Sequence, residues 1–171
     1  CTVHISVPTV DEEAWSALEP GTAHPLQRLR AVRALRKAGV NAGVLLAPIV
    51  PGFTTERRRL EATIRAVAEH DAAFMGSSVL YLKDGTKDHF MGFLREEFPH
   101  LVEGYERLYP GSYAPAAYVE KVKDLVNELR QRYALGARAS RMADDQAADP
   151  AATTGPEADA QQAFEWAGAP R

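Results

Sequence analysis

Residues that could contact a ligand lie at the end of each of three apolar segments. Ser6 ends the first segment, the loop at 48–54 ends the second, and Lys83 follows the third. A serine hydroxyl can hydrogen-bond a polar ligand, and Gly52 would let the backbone approach a flat one. Thr54 would cap the following helix and direct its N-terminus toward an anion. The Pro-Gly pair in this loop is also typical of a plain turn, so ligand binding and turn geometry both stay open.

Nucleophilic catalysis and metal binding have little support among the reactive side chains. Ser6 does not lie in a nucleophile-elbow sequence, and the histidines lack the spacing of paired metal ligands. The histidines are His4, His24, His70, His89 and His100. The single cysteine, Cys1, excludes an internal disulfide and a multi-cysteine metal site. We therefore predict that the chain supplies no metal ligands.

Composition and charge are ordinary for a globular domain. The chain has 171 residues, of which 46% are hydrophobic and 25% charged. Its net charge of −3 argues against a basic nucleic-acid surface over the whole chain, although a local groove could still be basic. The longest apolar run, 44–50, is too short to cross a bilayer, which predicts no membrane partner and a cytoplasmic location. Because Cys1 leads directly into a strand pattern, we expect a piece of a larger protein.

Strands and helices alternate along the first part of the chain and would position these polar residues. Apolar or alternating patterns predict strands at 2–8, 42–50 and 75–82. Amphipathic helices follow each strand. This alternation predicts parallel strands joined by right-handed crossovers, as in a barrel, a partial barrel or an open doubly wound sheet.

The ends of several helices carry recognisable signals. Asp11 and Thr86 are predicted N-caps, and Gly39 is predicted to end a helix that begins near Pro25. Apolar residues from 118 to 133 repeat at helical spacing. We expect this last helix to cover an edge or an end of the sheet.

Three regions follow from these patterns. Residues 1–98 hold three strand-helix units, and residues 99–136 form a helical extension. Residues 137–171 are rich in Ala, Asp, Gln, Pro and Gly, with few large apolar side chains to offset the entropy of ordering. We therefore predict a disordered tail there.

Three consecutive segments resemble a known family. They are HISVPTVDEEAWSALEPGT, LRAVRALRKAGVNAGVLLAPIVPGFT and VLYLKDGTKDHFMGFLREEFPHLVEGYERLY. Together they resemble the later half of radical S-adenosylmethionine (SAM) enzymes, and above all the group related to spore photoproduct lyase and described as DNA repair photolyase-like. The resemblance spans residues 2–135 and depends on the order of the segments rather than on one motif.

This resemblance implies an α/β fold that is the C-terminal part of a partial (β/α)6 TIM-like barrel. Ser6 resembles the residue that contacts the ribose or amino-acid part of SAM. Ala47, Pro48 and Ile49 resemble the segment that packs against adenine, and Gly52 begins the loop after it. The implied partners are SAM and the N-terminal half of the barrel. A nucleic-acid partner follows from the resemblance alone.

The family's iron-sulfur cluster cannot be ligated by this chain. Radical SAM enzymes bind a [4Fe-4S] cluster through a CxxxCxxC loop and reductively cleave SAM to a 5′-deoxyadenosyl radical. Cluster ligation needs several thiolates, and Cys1 is the lone cysteine. The resemblance therefore implies a fragment of a radical SAM enzyme that supplies part of the SAM site and is inactive by itself.

Two other functions stay open. One is a non-catalytic binding or scaffold protein derived from such a barrel. The other is a cofactor-free enzyme that uses Lys83 or Asp11 as an acid or a base.

Overall fold

Three parallel strands form one sheet in the computed structural model, which describes residues 1–83 and 85–135. The strands are β1 (Thr2–Ser6), β2 (Asn41–Ile49) and β3 (Met75–Val79), in the order β1-β2-β3. The register places Ser6 opposite Leu45, and Leu45 opposite Gly76. Because the strands are parallel, their carboxyl ends meet at one edge of the sheet.

Six α-helices accompany the strands in the described part of the chain. They are α1 (Glu12–Leu18), α2 (Pro25–Lys37), α3 (Arg57–Glu69), α4 (Gly85–Glu97), α5 (Val102–Leu108) and α6 (Ala116–Arg132), and a 3-10 turn spans Pro99–Leu101. Asp11 caps α1 by accepting a 2.9 Å hydrogen bond from the Ala14 amide. Gly39 follows α2 with a φ of +79°, a conformation that favours glycine. Both signals read from the sequence are confirmed.

Helices α2, α3 and α6 bury one face of the sheet. Leu29 of α2 and Ile64 of α3 are fully buried, and both belong to the same hydrophobic cluster as Val44 and Leu46 of β2. Each such side chain stabilises the fold by about 1.5–3 kcal/mol. Helix α6 contributes Leu129 to this cluster and packs on α3. The last helix therefore supports the sheet through α3.

A second hydrophobic cluster lies beyond the carboxyl ends of the strands. Its buried members come from the loops after β2 and β3, from α4 and α5, and from the segment that follows α5: Val50, Phe53, Leu82, Met91, Leu94, Tyr105, Tyr109 and Ala114. The aromatic rings contact one another, and the Tyr105 and Tyr109 rings stack with centroids 5.7 Å apart. This cluster holds α4 and α5 over the strand ends.

The other face of the sheet is exposed at its carboxyl end. His4 and Ser6 of β1 are exposed on this face, and Leu45 of β2 is 36% exposed. Near the amino end Gly43 lies against the Phe74 ring, so a Cβ at position 43 would stand 2.5 Å from Phe74 Cδ2. Any ligand held by Ser6 would approach from this face.

The expected partial (β/α)6 barrel is wrong, because the structure has a small open sheet. Within the described residues, β1 and β3 each pair only with β2. A barrel needs tilted strands that continue around until the first pairs with the last. Strand-helix alternation predicts parallel pairing and crossovers, but it carries no information about closure. The pattern also allowed an open doubly wound sheet, and of that alternative the open sheet is observed.

Several element boundaries differ from the expectations. The third strand was expected over 75–82 but ends at Val79, and Tyr81 makes only an isolated antiparallel bridge to Tyr113. Thr86 lies inside the first turn of α4 and is not its cap. The expected disordered tail at 137–171 lies outside the described residues. Among the described helices, none is long and apolar enough to cross a membrane.

Candidate ligand-binding site

Ser6 and Ala47 meet at the carboxyl edge of the sheet. Ser6 is the exposed last residue of β1, and its hydroxyl donates a 3.0 Å hydrogen bond to the carbonyl oxygen of Ala47 on β2. Because the hydroxyl gives its proton to Ala47, its lone pairs stay available as acceptors. The structure therefore brings together two of the residues selected from the sequence, although they stand 41 positions apart.

The rest of the 47–52 segment divides between surface and core. Ala47 is half-buried and Pro48 is exposed, so both present surface to a ligand. Ile49 is only 1% exposed and its side chain packs in the helix-side core, which leaves its backbone as the part nearest the edge. The pairing of β2 with β3 is irregular between Leu46 and Ile49, because Pro48 has no N–H to donate.

The loop after β2 is rigidly folded. Gly52 is exposed with a φ of +78°, and its amide donates to Thr55 Oγ1 at 3.1 Å. Thr54 is buried and accepts a 2.8 Å bond from the Val50 amide. Its hydroxyl is thus used inside the loop, and α3 begins only at Arg57. Thr54 does not direct a helix terminus toward an anion.

Two buried tyrosines fix the strand-end loops in place. Tyr105 donates its hydroxyl proton to the carbonyl of Pro51, and Tyr109 donates to the carbonyl of Leu80 at 2.8 Å. Burial raises the pKa of both tyrosines well above the usual range, so both remain neutral donors. Helix α5 therefore holds the loop after β2 and the segment after β3 at fixed positions.

A cavity of 280 Å³ opens at the carboxyl ends of the strands, next to the Ser6–Ala47 pair. Its walls are mainly apolar and come from all three strand ends and from α1 and α4: Pro8, Trp15, Leu18, Pro48, Leu80 and Phe90. Pro48 belongs both to this cavity and to the exposed surface beside Ala47. The indole nitrogen of Trp15 donates to Thr22 Oγ1 at 3.1 Å, which fixes the ring.

Arg28 joins the loop after α1 to the end of β1. Its guanidinium donates to the carbonyl of Ser6 at 3.0 Å and to the carbonyl of Ala23 at 2.8 Å. It also donates to Thr22 Oγ1 at 2.7 Å and to Glu19 Oε1 at 3.3 Å. Glu19 Oε2 lies 3.1 Å from Nη2 without the alignment of a hydrogen bond. Arg28 thus forms an ion pair with Glu19 and holds the backbone carbonyl of Ser6 in place.

Glu19, Arg28 and Trp15 were missed as site residues by the sequence reasoning. Glu19 lies in the segment LEPGT, which contributed to the family resemblance, but nothing marked its carboxylate as a wall of the cavity. An acid followed nine residues later by an arginine on a predicted helix is the signal that was present in the sequence. That spacing is common, so it gives little information by itself.

The candidate acids and bases serve structural roles. Asp11 caps α1 and lies 3.4 Å from Arg59 Nη1, which anchors α1 to α3. Lys83 is exposed, with its ammonium 5.4 Å from the centre of the Tyr113 ring. Neither side chain lines the apolar cavity.

The donor set of the described residues does not suit a metal cluster. No group of three His, Cys, Asp or Glu side chains in the described part is placed to hold a metal ion. Cys1, the single cysteine of the sequence, is exposed at the start of the chain. A [4Fe-4S] cluster takes several thiolates, so these residues do not fit one.

Comparison with known proteins gives relatives that are themselves without an assigned activity. The chain is 32% identical over 135 residues to proteins of Mycobacterium bovis and Mycobacterium tuberculosis, each named as an uncharacterized protein. The match covers 78% of this chain and 40% of each relative's length. The chain matches no protein-family profile. No solved structure matches it either.

Proposed function

We propose that this chain supplies part of the SAM-binding site of a radical SAM enzyme, at the carboxyl edge of β1 and β2. The observation that carries this proposal is the hydrogen bond between Ser6 and Ala47, two positions that the family resemblance also selects. In parallel α/β sheets, ligands bind outside the carboxyl ends of the strands. The location and the chemistry of the pair both support a polar ligand at this edge.

The residues at this edge fit SAM. The lone pairs of Ser6 Oγ can accept a hydrogen bond from a ribose hydroxyl or from the ammonium of the amino-acid part. Ala47 is small and Pro48 is apolar and exposed, so together they offer a surface to a purine face. Gly52 carries no side chain to obstruct the approach. Arg28 keeps the carbonyl of Ser6 fixed and thereby orients β1 toward the ligand.

The cluster that activates SAM in such enzymes would have to be held by other residues than these. Bound SAM would supply the radical chemistry, and this chain's residues would position the nucleoside and exclude water from it. The mycobacterial relatives extend well beyond the part that matches, since the chain spans 40% of their length.

Titration with S-adenosylhomocysteine tests the site directly. We expect its dissociation constant, measured from amide chemical shifts, to rise about tenfold in Ser6→Ala, because one hydrogen bond to the ligand is lost. Thr2→Val is the matched control: it removes a hydroxyl from the same face of β1, at the other end of the strand. Equal affinities in the parent chain and Ser6→Ala would contradict the proposal.

A binding protein without catalysis is the second candidate, and the lone exposed Cys1 favours it for this chain alone. Iron and acid-labile sulfide in the full-length Mycobacterium tuberculosis relative distinguish the two, after purification without oxygen. About four of each per chain would favour a radical SAM enzyme. A metal-free relative that still binds S-adenosylhomocysteine would favour the binding protein.

A further inference from the structure

The cavity at the strand ends is distinct from the Ser6–Ala47 surface but adjoins it. Pro48 is exposed beside Ala47 and also forms one wall of the cavity. A molecule in the cavity would therefore lie next to a ligand held by Ser6 and Ala47. Two neighbouring sites of this kind suit two reactants, one held at the sheet edge and one in the cavity.

The walls of the cavity select for a flat apolar group. Trp15 and Phe90 contribute aromatic surface, and Pro8 and Pro48 add rigid apolar rings. Trp15 is fixed by its hydrogen bond to Thr22, and Phe90 packs on Tyr105 with ring centroids 5.3 Å apart. Rigid aromatic and proline walls favour planar ligands, which stack on them with little loss of conformational entropy. The volume of 280 Å³ is near the lower limit for ligand pockets, which favours a small ring system.

Charge is the second selective feature. Among the residues that the structure describes, Glu19 is the single charged side chain that lines this cavity, and none of them contributes a cationic side chain. Arg28 lies behind Glu19, and its guanidinium already donates to three backbone or hydroxyl oxygens besides Glu19. It has little capacity left to bind an anion. An anionic group would be desolvated among apolar walls beside a carboxylate, which costs free energy without compensation.

From these features we infer that the cavity binds the substrate of the proposed enzyme through an uncharged, planar apolar group. That the occupant is a substrate rests on the proposed function. The cavity's preference for such a group follows from its lining residues alone. The substrate atom that reacts would lie on this group or next to it, facing the Ser6–Ala47 surface across Pro48.

Two probes of similar shape, one neutral and one anionic, test the cavity's preference for an uncharged group. These are 2-naphthamide, which is neutral, and 2-naphthoate, which is anionic. Trp15 is one of two tryptophans in the sequence, so in a Trp166→Phe background its indole N–H gives a single assigned signal. We expect 2-naphthamide to shift this signal and to bind at least tenfold more tightly than 2-naphthoate. Equal binding of the two probes, or no shift with 2-naphthamide, would overturn the inference.

A pair of variants on α1 locates the binding. Leu18→Glu places a carboxylate in the cavity, and we expect it to weaken 2-naphthamide binding at least tenfold. Ser16→Glu adds the same charge to the same helix at an exposed position outside this cavity, and it should leave binding unchanged. Undiminished binding in Leu18→Glu would contradict the inference. If that variant fails to fold, the comparison of the two probes on the parent decides alone.

Failure of this inference is distinguishable from failure of the proposed function. S-adenosylhomocysteine is titrated into the same sample, and the shifts of Ser6 and Ala47 amides are followed separately from Trp15. Binding of S-adenosylhomocysteine without 2-naphthamide overturns the cavity assignment and retains the SAM site. The reverse result retains the cavity's preference and removes the proposed function.

Discussion

Arg28 makes more hydrogen bonds at the candidate site than any single residue chosen from the sequence. It connects Glu19 and Thr22, which both lie in the loop after α1, with the carbonyl of Ser6 at the end of β1. Position at a strand end was enough to select Ser6 as a candidate ligand-contacting residue, because parallel strands bring their carboxyl ends together. The partners of Arg28 depend on how a loop folds over a helix, and no local pattern encodes that.

Replacing Arg28 should loosen the loop after α1. We expect Arg28→Ala to lower the free energy of unfolding by about 2 kcal/mol, because it leaves the partly buried Glu19 without its partner. Arg28→Lys should recover only part of this, since an ammonium lacks the planar fork of donors. Denaturant titration measures both. Arg30→Ala, on the exposed side of the same helix, is the control; an equal loss there would contradict the role of Arg28.

Tyr105 links α5 to the loop after β2 through its hydroxyl. Tyr105→Phe removes this donor to the Pro51 carbonyl and should cost about 1 kcal/mol of stability. Because burial raises the pKa of Tyr105 in the folded state, its stabilising contribution is complete below the ordinary tyrosine pKa of about 10 and is lost as the pH rises above it.

Stability measured between pH 8 and pH 11 tests this sign. The parent chain should lose stability above about pH 10, and Tyr105→Phe should lose less over the same range. Tyr113→Phe is the control, because it removes the hydroxyl of a tyrosine that is 57% exposed. Identical alkaline profiles for the parent and Tyr105→Phe would count against the buried-tyrosine account.

At the scale of elements, the sequence located strands and helices to within a few residues. The strand predicted at 42–50 is β2, Asn41–Ile49, and the helix predicted to end at Gly39 is α2, which ends at Lys37; both were placed within two residues because their signals are local. The third strand was predicted too long, since Leu82 is apolar for a different reason: it joins the second hydrophobic cluster. An apolar residue reports burial but does not identify the neighbour that buries it.

Close packing between β2 and the residue before β3 gives a prediction at this scale. Gly43→Ala would place a Cβ 2.5 Å from the Phe74 ring, so we expect a loss of about 1–3 kcal/mol. Gly92→Ala in α4 has no atom within 4 Å of the added Cβ and should instead stabilise by about 0.5–1 kcal/mol. Thermal unfolding of both variants checks the opposite signs. A neutral Gly43→Ala would show that the ring moves aside freely.

At the scale of the whole molecule, ion pairs connect the strand-helix units to the last helix. Arg57 of α3 pairs with Glu128 of α6, and Arg132 of α6 pairs with Glu61 of α3 at 2.7 Å. Sequence patterns could not predict these pairs, because the partners are 71 residues apart. The expectation of a barrel was wrong for the same reason. Whether the edge strands pair with further strands depends on contacts between distant parts of the chain, which local patterns do not determine.

Acid should weaken the docking of α6 on α3. Hydrogen bonding from Arg132 lowers the pKa of Glu61, and hydrogen bonding from Arg57 lowers that of Glu128. The contribution of these two carboxylates to the stability of the folded state is therefore complete above the ordinary glutamate pKa of about 4.3 and is lost as the pH falls through their lowered pKa values. When the pH is lowered, the free energy of unfolding should fall less in Glu61→Gln than in the parent chain. Glu103→Gln, which removes a pair within α5 alone, should keep the parent's profile.

Photoaffinity labelling with 8-azido-SAM tests the central claim most directly, because it captures weak binding and reports the position of adenine. Trypsin cleaves after Lys37 and Arg57, so a single peptide, 38–57, carries Ala47, Pro48 and Gly52. The account predicts that this peptide takes up most of the label and that excess S-adenosylhomocysteine removes it. Label on the peptides of α6, or label that the competitor does not displace, would contradict a SAM site at the carboxyl edge of β1 and β2.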